Sequence, residues 1–164
     1  MDIDGLGVFR PAAHSGYEFV PRTAPRVFIA YVFEDGASAE RLYKDLLALG
    51  LDPWLDKRKL LPGQNWPRAI ERAIEVSDFF VACFSRSAVT KRGQFQSELR
   101  YALDCARRMP LDEIFLIPLR LEECRIPPAI RQSIQYVDMF PDWDRGVRRI
   151  QAAMEQRRKL RSVA

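Results

Sequence analysis

Residues Arg92–Ala102, RGQFQSELRYA, place a carboxylate beside the apolar side of a predicted helix. At about 100° per residue, one apolar stripe forms, and Glu98 lies at its rim. The stripe consists of Phe95, Leu99, Ala102, Leu103 and Ala106. A carboxylate at the edge of a core is costly unless it is paired or open to a cleft. Glu98 is therefore either a structural residue that reaches water or pairs with Arg92 or Arg100, or a functional residue held at a cleft.

Histidine and cysteine offer little alternative chemistry. The one histidine, His14, lies in an irregular segment, which argues against a histidine-based metal site or catalytic triad. Three widely spaced cysteines, Cys83, Cys105 and Cys124, form no C-x-x-C pattern. We expect free thiols, with Cys83 buried in a strand, in a reducing cytoplasm. The sequence thus predicts no metal site.

The composition is that of one soluble globular domain with tails: 164 residues, 48% hydrophobic and 29% charged. A net charge of +4 is too small to indicate nucleic-acid binding by itself. No apolar run is long enough to cross a bilayer, and the acidic N-terminus has no signal-peptide core. We expect a cytoplasmic protein without membrane contact, for which direct nucleic-acid binding by this domain is not expected.

The chain divides into three parts. Residues 1–24 are rich in glycine and proline without periodicity, which predicts a flexible N-terminal extension or linker. Residues 25–156 carry the folded domain. Residues 157–164 form a basic C-terminal tail, interpreted as a solvated, frayed helix end, with contact to an acidic partner or nucleic acid as the alternative.

Strand and helix patterns alternate through the folded part. Apolar runs at Arg26–Phe33, Asp78–Phe84 and Ile114–Leu121 predict strands that are buried on both faces. Leu51–Leu55 contains Pro53, which favours an edge strand. Residues 136–140 carry a weaker pattern that predicts a fifth strand. Amphipathic helices lie between these strands. This order is typical of an α/β fold with a parallel sheet.

In such sheets ligands bind outside the carboxyl ends of the strands. Glu34, Asp35, Ser85 and the charged loop that begins at Asp56 fall at that edge, as does the loop before Glu98. Other α/β families fit poorly. A response-regulator receiver needs an aspartate where Ser85 ends the third strand, no P-loop motif is present, and the acidic turn after the first strand would repel a phosphate.

The order and spacing of several segments resemble a bacterial Toll/interleukin receptor (TIR) domain. These segments are Arg26–Asp35, Pro53–Asp56, Leu60–Trp66, Ile70–Ser77, Asp78–Val89, Gln96–Ala102 and Ile117–Pro128. The resemblance covers residues 25–140. It implies a flavodoxin-like three-layer α/β sandwich with a five-stranded parallel sheet.

Many TIR domains cleave NAD+ at the nicotinamide–ribose bond, and the position of their catalytic glutamate matches Glu98. Nicotinamide leaves as a neutral molecule, so one carboxylate that stabilises an oxocarbenium-like transition state suffices. The resemblance therefore implies an NAD+ nucleosidase that uses NAD+ as substrate and needs no cofactor. The product is ADP-ribose or cyclic ADP-ribose, depending on how well water is excluded.

The resemblance also implies six substrate-binding positions: Tyr31, Phe33, Asp56, Lys59, Trp66 and Ser85. For three of these residues, a structural role is the alternative to substrate binding. Trp66 is otherwise a core anchor for its helix, and Ser85 a helix or loop cap. Asp56 is otherwise a turn residue that bonds its own backbone.

The segment Asp56–Trp66 corresponds to the family's BB loop, which contacts neighbouring TIR domains. The expected partners are NAD+, further copies of the domain in a homo-oligomer, and a sensor domain or partner protein. Assembly would activate cleavage in bacterial immune defence. The alternative is a catalytically weak scaffold that acts by homotypic association. It is favoured by Gln94, where many active members carry an aromatic residue, and by Ala30 and Val32, which replace hydroxyl residues.

Overall fold

The computed structural model describes residues 24–55, 62, 63, 65–110 and 113–160 with their side chains. It describes the backbone alone at residues 2–3, 7–11, 17–21 and 161–163. Near the N-terminus, three short strands, β1 (Asp2–Ile3), β2 (Gly7–Pro11) and β3 (Tyr17–Pro21), pair antiparallel in the order β1-β2-β3. The sequence analysis did not predict these strands. That residues 1–24 form an extension outside the folded domain stays a prediction.

The folded part is built on a parallel sheet of five strands in the order β5-β4-β6-β7-β8. The strands are β4 (Arg26–Ala30), β5 (Asp52–Leu55), β6 (Phe79–Phe84), β7 (Leu116–Arg120) and β8 (Val137–Asp138). All six residues of β6 are buried, as the apolar run predicted for a central strand. Pro53 lies in β5 at the sheet edge, where a missing N–H is tolerated. The predicted α/β fold is confirmed.

Helices cover both faces of this sheet. They are α1 (Gly36–Ala48), α2 (Trp66–Glu75), α3 (Arg86–Thr90), α4 (Gln94–Ala106), α5 (Pro128–Arg131) and α6 (Trp143–Val163), and a 3₁₀ turn at Phe33–Asp35 precedes α1. The N-cap of α1 is Asp35. Gly50 follows α1 with a positive φ of 77°, as expected for a glycine beyond a helix end.

Alternate residues of the central strands point into two separate hydrophobic cores, one on each face of the sheet. Phe28 and Phe80 stack with ring centroids 5.3 Å apart in the core beneath α2 and α4. Val27, Ile29 and Val81 point the other way, into the core that contains Leu42 and Ile150 from α1 and α6. The chain passes from β4 outward to β5 and then returns to the other side of β4 as β6. This reversal places a topological switch point between the carboxyl ends of β4 and β6, the position where α/β sheets form a ligand-binding crevice, and we call it the switch-point crevice.

The C-terminal helix α6 continues to Val163, and Arg157 within it is only 3% exposed. Arg157 follows Ile150 and Met154 on the buried face of the helix. Its guanidinium lies 4.8 Å from the centroid of the Phe79 ring and pairs with Glu113. Interpreting Arg157 as part of a solvated basic end was therefore wrong, since its long side chain lies within the core. Although α6 has 21 residues, no helix in the described part of the chain is apolar enough to span a membrane.

We expect Arg157→Ala to lower the free energy of unfolding by about 3 kcal/mol, because it leaves the largely buried Glu113 carboxylate without this charge partner. Arg158→Ala, at the exposed neighbouring position, is the control and should change it by less than about 0.5 kcal/mol. Urea denaturation of both variants measures the difference. Equal effects would show that Arg157 carries no special structural role.

Candidate functional site at the switch point

The switch-point crevice is bridged by a hydrogen bond between the segments that follow β4 and β6. The Ser85 hydroxyl donates to the Asp35 carboxylate at 2.6 Å. The same hydroxyl oxygen accepts a hydrogen bond from the backbone N–H of Ala88 at 3.1 Å, which caps α3. Ser85 is thus the helix cap that the structural alternative described. It also joins the two central strands, while its role in substrate binding stays a prediction.

A second bridge spans the same edge. Lys91, in the loop before α4, pairs with Glu34 beside Asp35. The sequence analysis predicted that Glu34, Asp35, Ser85 and this loop share the carboxyl edge of the sheet, and these contacts confirm it.

The pKa values of two carboxyl groups on this edge, Asp35 and Glu34, are shifted in opposite directions. Burial raises the pKa of Asp35, the hydrogen bond from Ser85 lowers it, and the charges of Glu122 and Glu34 raise it further. The hydrogen bond from Lys91, in contrast, lowers the pKa of Glu34. Asp35 therefore takes up a proton more readily than an ordinary aspartate. The sequence analysis placed Asp35 at this edge but did not select it as a site residue, because its burial depends on tertiary packing.

Glu98 lies on α4, which follows the capped helix α3. Only 3% of Glu98 is exposed. The Gln96 side chain donates to the backbone carbonyl of Ala88 at 3.0 Å and fixes the start of α4 against α3. The helix α4 packs against α2 as well as β4 and β7, and its buried arc is turned from the apolar stripe toward Glu98 and Cys105, with Leu103 only half-buried. The predicted rim position is therefore more deeply buried than the helical spacing indicated.

At the start of α4, the aromatic side chain of Phe95 points into the core. The ring of Phe95 packs edge-on against Phe84, the last residue of β6, with centroids 5.5 Å apart. Phe95 therefore points to the core, as the spacing predicted. Gln94, one residue earlier, is half-buried.

The remaining predicted site residues are not all brought together. Phe33 is 82% exposed in the 3₁₀ turn, and Trp66 is 41% exposed as the first residue of α2. Trp66 is therefore not the core anchor of the structural alternative. Tyr31 packs against the core on the sheet face opposite α4. Asp56 and Lys59 lie outside the described residues.

A family profile described as TIR domain matches residues 27–151, which is most of the chain. The chain belongs to the TIR domain family. Its fold resembles the crystal structure of the TIR domain of the Toll-related receptor TRR-2 from Hydra magnipapillata. That likeness has a TM-score of 0.64 and 23% identity, and covers 80% of this chain and 97% of that one.

Two further proteins are similar to this chain, one in fold and one in sequence. A CMP N-glycosidase from Clostridium botulinum has a similar fold, with a TM-score of 0.53 and 18% identity over 77% of this chain and 98% of that one. The protein y4cD of Sinorhizobium fredii is 26% identical over 118 residues, which are 72% of this chain. This TIR domain spans only 18% of the length of y4cD.

The segment predicted to be the BB loop, Asp56–Trp66, is described only at residues 62, 63, 65 and 66. Gly63 has a φ of 81°, a conformation that glycine adopts without strain. The Asn65 side chain caps α2 by accepting from the backbone N–H of Arg68 at 3.2 Å. Within the described residues, no group of three or more histidine, cysteine, aspartate or glutamate side chains is arranged to hold a metal ion.

We expect Asp35→Asn to become more stable relative to the wild type as the pH rises. The asparagine retains an acceptor for Ser85 but has no ionisable proton. Because the folded-state pKa of Asp35 is raised, the folded protein binds more protons than the unfolded chain between the two pKa values. The contribution of Asp35 to stability is thus lost as the pH rises through the folded pKa.

Urea denaturation of wild type and variant between about pH 4 and pH 7 measures this difference. Asp144→Asn, which removes an exposed carboxylate on α6, is the matched control for the loss of one charge. A stability difference for Asp35→Asn that does not change with pH would contradict the expectation.

Proposed function

We propose that this TIR domain is an NAD+ nucleosidase that cleaves the bond between nicotinamide and ribose, with Glu98 as its catalytic carboxylate. The observation that carries the proposal is the burial of Glu98 on the helix that follows β6. Glu98 lies about one turn beyond Phe95, whose ring packs at the carboxyl end of β6 beside the crevice. An acidic side chain buried in an apolar helix face is unusual, and function is a reason to retain one.

The proposed chemistry needs one negative charge and no proton donor. The bond from the ribose carbon to the nicotinamide nitrogen breaks, and its electron pair leaves with nicotinamide. The positive charge left on the ribose is stabilised by the carboxylate. Water then adds to this carbon, loses a proton and gives ADP-ribose. Attack by a nitrogen of the adenine base instead gives a cyclic product.

The similar fold of the CMP N-glycosidase supports this reaction class. That enzyme acts on a bond of the same type, between a ribose and a nitrogen heterocycle. Phe33 is proposed to bind the nicotinamide side of the substrate, together with Tyr31. Asp56, Lys59, Trp66 and Ser85 are proposed to line the cleft.

Assembly is the proposed activating step. With 3% of its surface exposed, Glu98 meets substrate only after the packing around α4 opens. Phe33 and Trp66 present large apolar side chains to solvent, and a second copy of the domain would cover such surfaces. We propose that association through the BB loop drives the opening. A sensor domain or partner protein would trigger this association in bacterial immune defence or signalling, in the cytoplasm.

A catalytically weak scaffold is the second candidate. Gln94 supports it, because it provides no aromatic surface for stacking where many active relatives have one. Burial of Glu98 is also compatible with a purely structural carboxylate. In this case the exposed Phe33 and Trp66 would serve homotypic association alone.

We expect Glu98→Gln to lower nicotinamide release from NAD+ by about 100-fold or more, since it removes the charge with little change of shape. Chromatography of the crowded protein on beads measures the release. Glu71→Gln, the same substitution at an exposed position of α2, is the control and should retain full activity. Circular dichroism verifies that both variants are folded. A folded Glu98→Gln that retains activity would exclude Glu98 as the catalytic group.

We also expect nicotinamide release per domain to rise at least tenfold, as an order of magnitude, when dilute protein is crowded on beads, because tethering raises the effective concentration of neighbours. Glu98→Gln on the same beads controls for release by the support. A rate per domain that is independent of crowding would contradict activation by assembly. No release in either state would favour the scaffold.

A further inference from the structure

A pocket of about 380 Å³ lies beyond the carboxyl end of β7, away from Glu98. Its walls come from β7, from the loop that follows it, from α5 and from Tyr136 just before β8. No residue of α4 lines it. Its volume is within the range of small-molecule sites. The carboxyl edge of the sheet therefore carries a second concave surface that the proposed cleavage does not use.

One wall of this pocket is formed by a hydrogen-bonded ion pair. Arg120 donates two hydrogen bonds to the Asp138 carboxylate, at 2.6 and 3.0 Å, and a third to the backbone carbonyl of Cys124 at 3.2 Å. Its guanidinium also lies 4.8 Å from the ring centroid of Tyr136. Because Arg120 and Asp138 neutralise each other in a fixed geometry, this wall gives shape without net charge.

Two other arginines give the pocket a positive charge. Within the described part of the chain, neither Arg125 nor Arg131 forms an ion pair, and both are exposed where they line the pocket. Glu123 is the single carboxylate that lines it among the described residues. Burial raises the pKa of the Cys124 thiol, which therefore adds no negative charge. With Arg120 balanced by Asp138, the two exposed arginines and Glu123 leave the pocket with one positive charge in excess.

We propose that this pocket binds a small phosphate-bearing ligand, with the phosphate held by Arg125 and Arg131. A phosphate monoester carries a charge between about −1.5 and −2 near pH 7, and guanidinium groups bind its oxygens in a bidentate manner. Ile126 and Tyr136 provide an apolar surface for the rest of the ligand. Free phosphate and a nucleoside monophosphate share this chemistry, and separate titrations distinguish them.

The test is isothermal titration of the full chain with inorganic phosphate, with AMP and with adenosine. The wild type should bind phosphate or AMP saturably and should not bind adenosine. Arg125→Gln combined with Arg131→Gln should weaken this binding about tenfold or more, as loss of hydrogen bonds to a charged group predicts. Arg145→Gln combined with Arg158→Gln removes the same two charges from exposed positions of α6 and should retain the wild-type affinity.

Stronger binding of AMP than of phosphate would support a nucleotide as the ligand, and equal binding would support free phosphate. Three outcomes would overturn the proposal. They are the absence of saturable binding to the wild type, equal weakening by both double variants, and AMP binding that the Arg125 and Arg131 substitutions leave unchanged. The last result would assign AMP to another surface, such as the switch-point crevice. Circular dichroism of both double variants verifies their folding.

Discussion

Burial of β6 on both faces is the constraint on which the rest of this domain depends. Six consecutive residues without solvent contact require helices above and below the sheet. Parallel strands connected through such helices bring all their carboxyl ends to one edge. The strand order reverses at β4, with β5 on one side and β6 on the other, and this switch point is the crevice that Asp35 and Ser85 bridge. The helix that carries Glu98 is positioned by the same arrangement, because it begins just beyond β6 and α3.

Sequence reasoning found the features that local periodicity records. The runs that became β4, β6 and β7 are long and apolar, and Pro53 marked the edge strand. Glu98 was singled out because an acidic residue beside an apolar stripe violates the helical pattern. The five-residue helix α3 was missed, since one turn carries no periodicity to detect. The strands near the N-terminus were missed for a related reason, because glycine and proline obscured their short alternation.

Burial itself was harder to predict than secondary structure. Glu98 is covered because α2 packs beside α4, a contact between segments that helical spacing alone does not reveal. Arg157 has a charged head but a long apolar stem, and the Phe79 ring with Glu113 accommodates that head inside the core. Trp66 differs in the opposite direction, since a core position was the structural alternative for it and 41% of its surface is exposed. For Glu98 and Arg157 the decisive neighbour is distant in sequence.

The two bridges across the crevice differ in how they respond to the solution around them. The pair between Glu34 and Lys91 is exposed on both sides, so dissolved ions screen its attraction. The hydrogen bond from Ser85 to Asp35 is half-buried and short, and ionic strength has little effect on it. Raising the salt concentration therefore loosens the outer bridge and leaves the inner one intact. Of the two contacts that join the segments after β4 and β6, one thus responds to the ionic strength of the solution and the other does not.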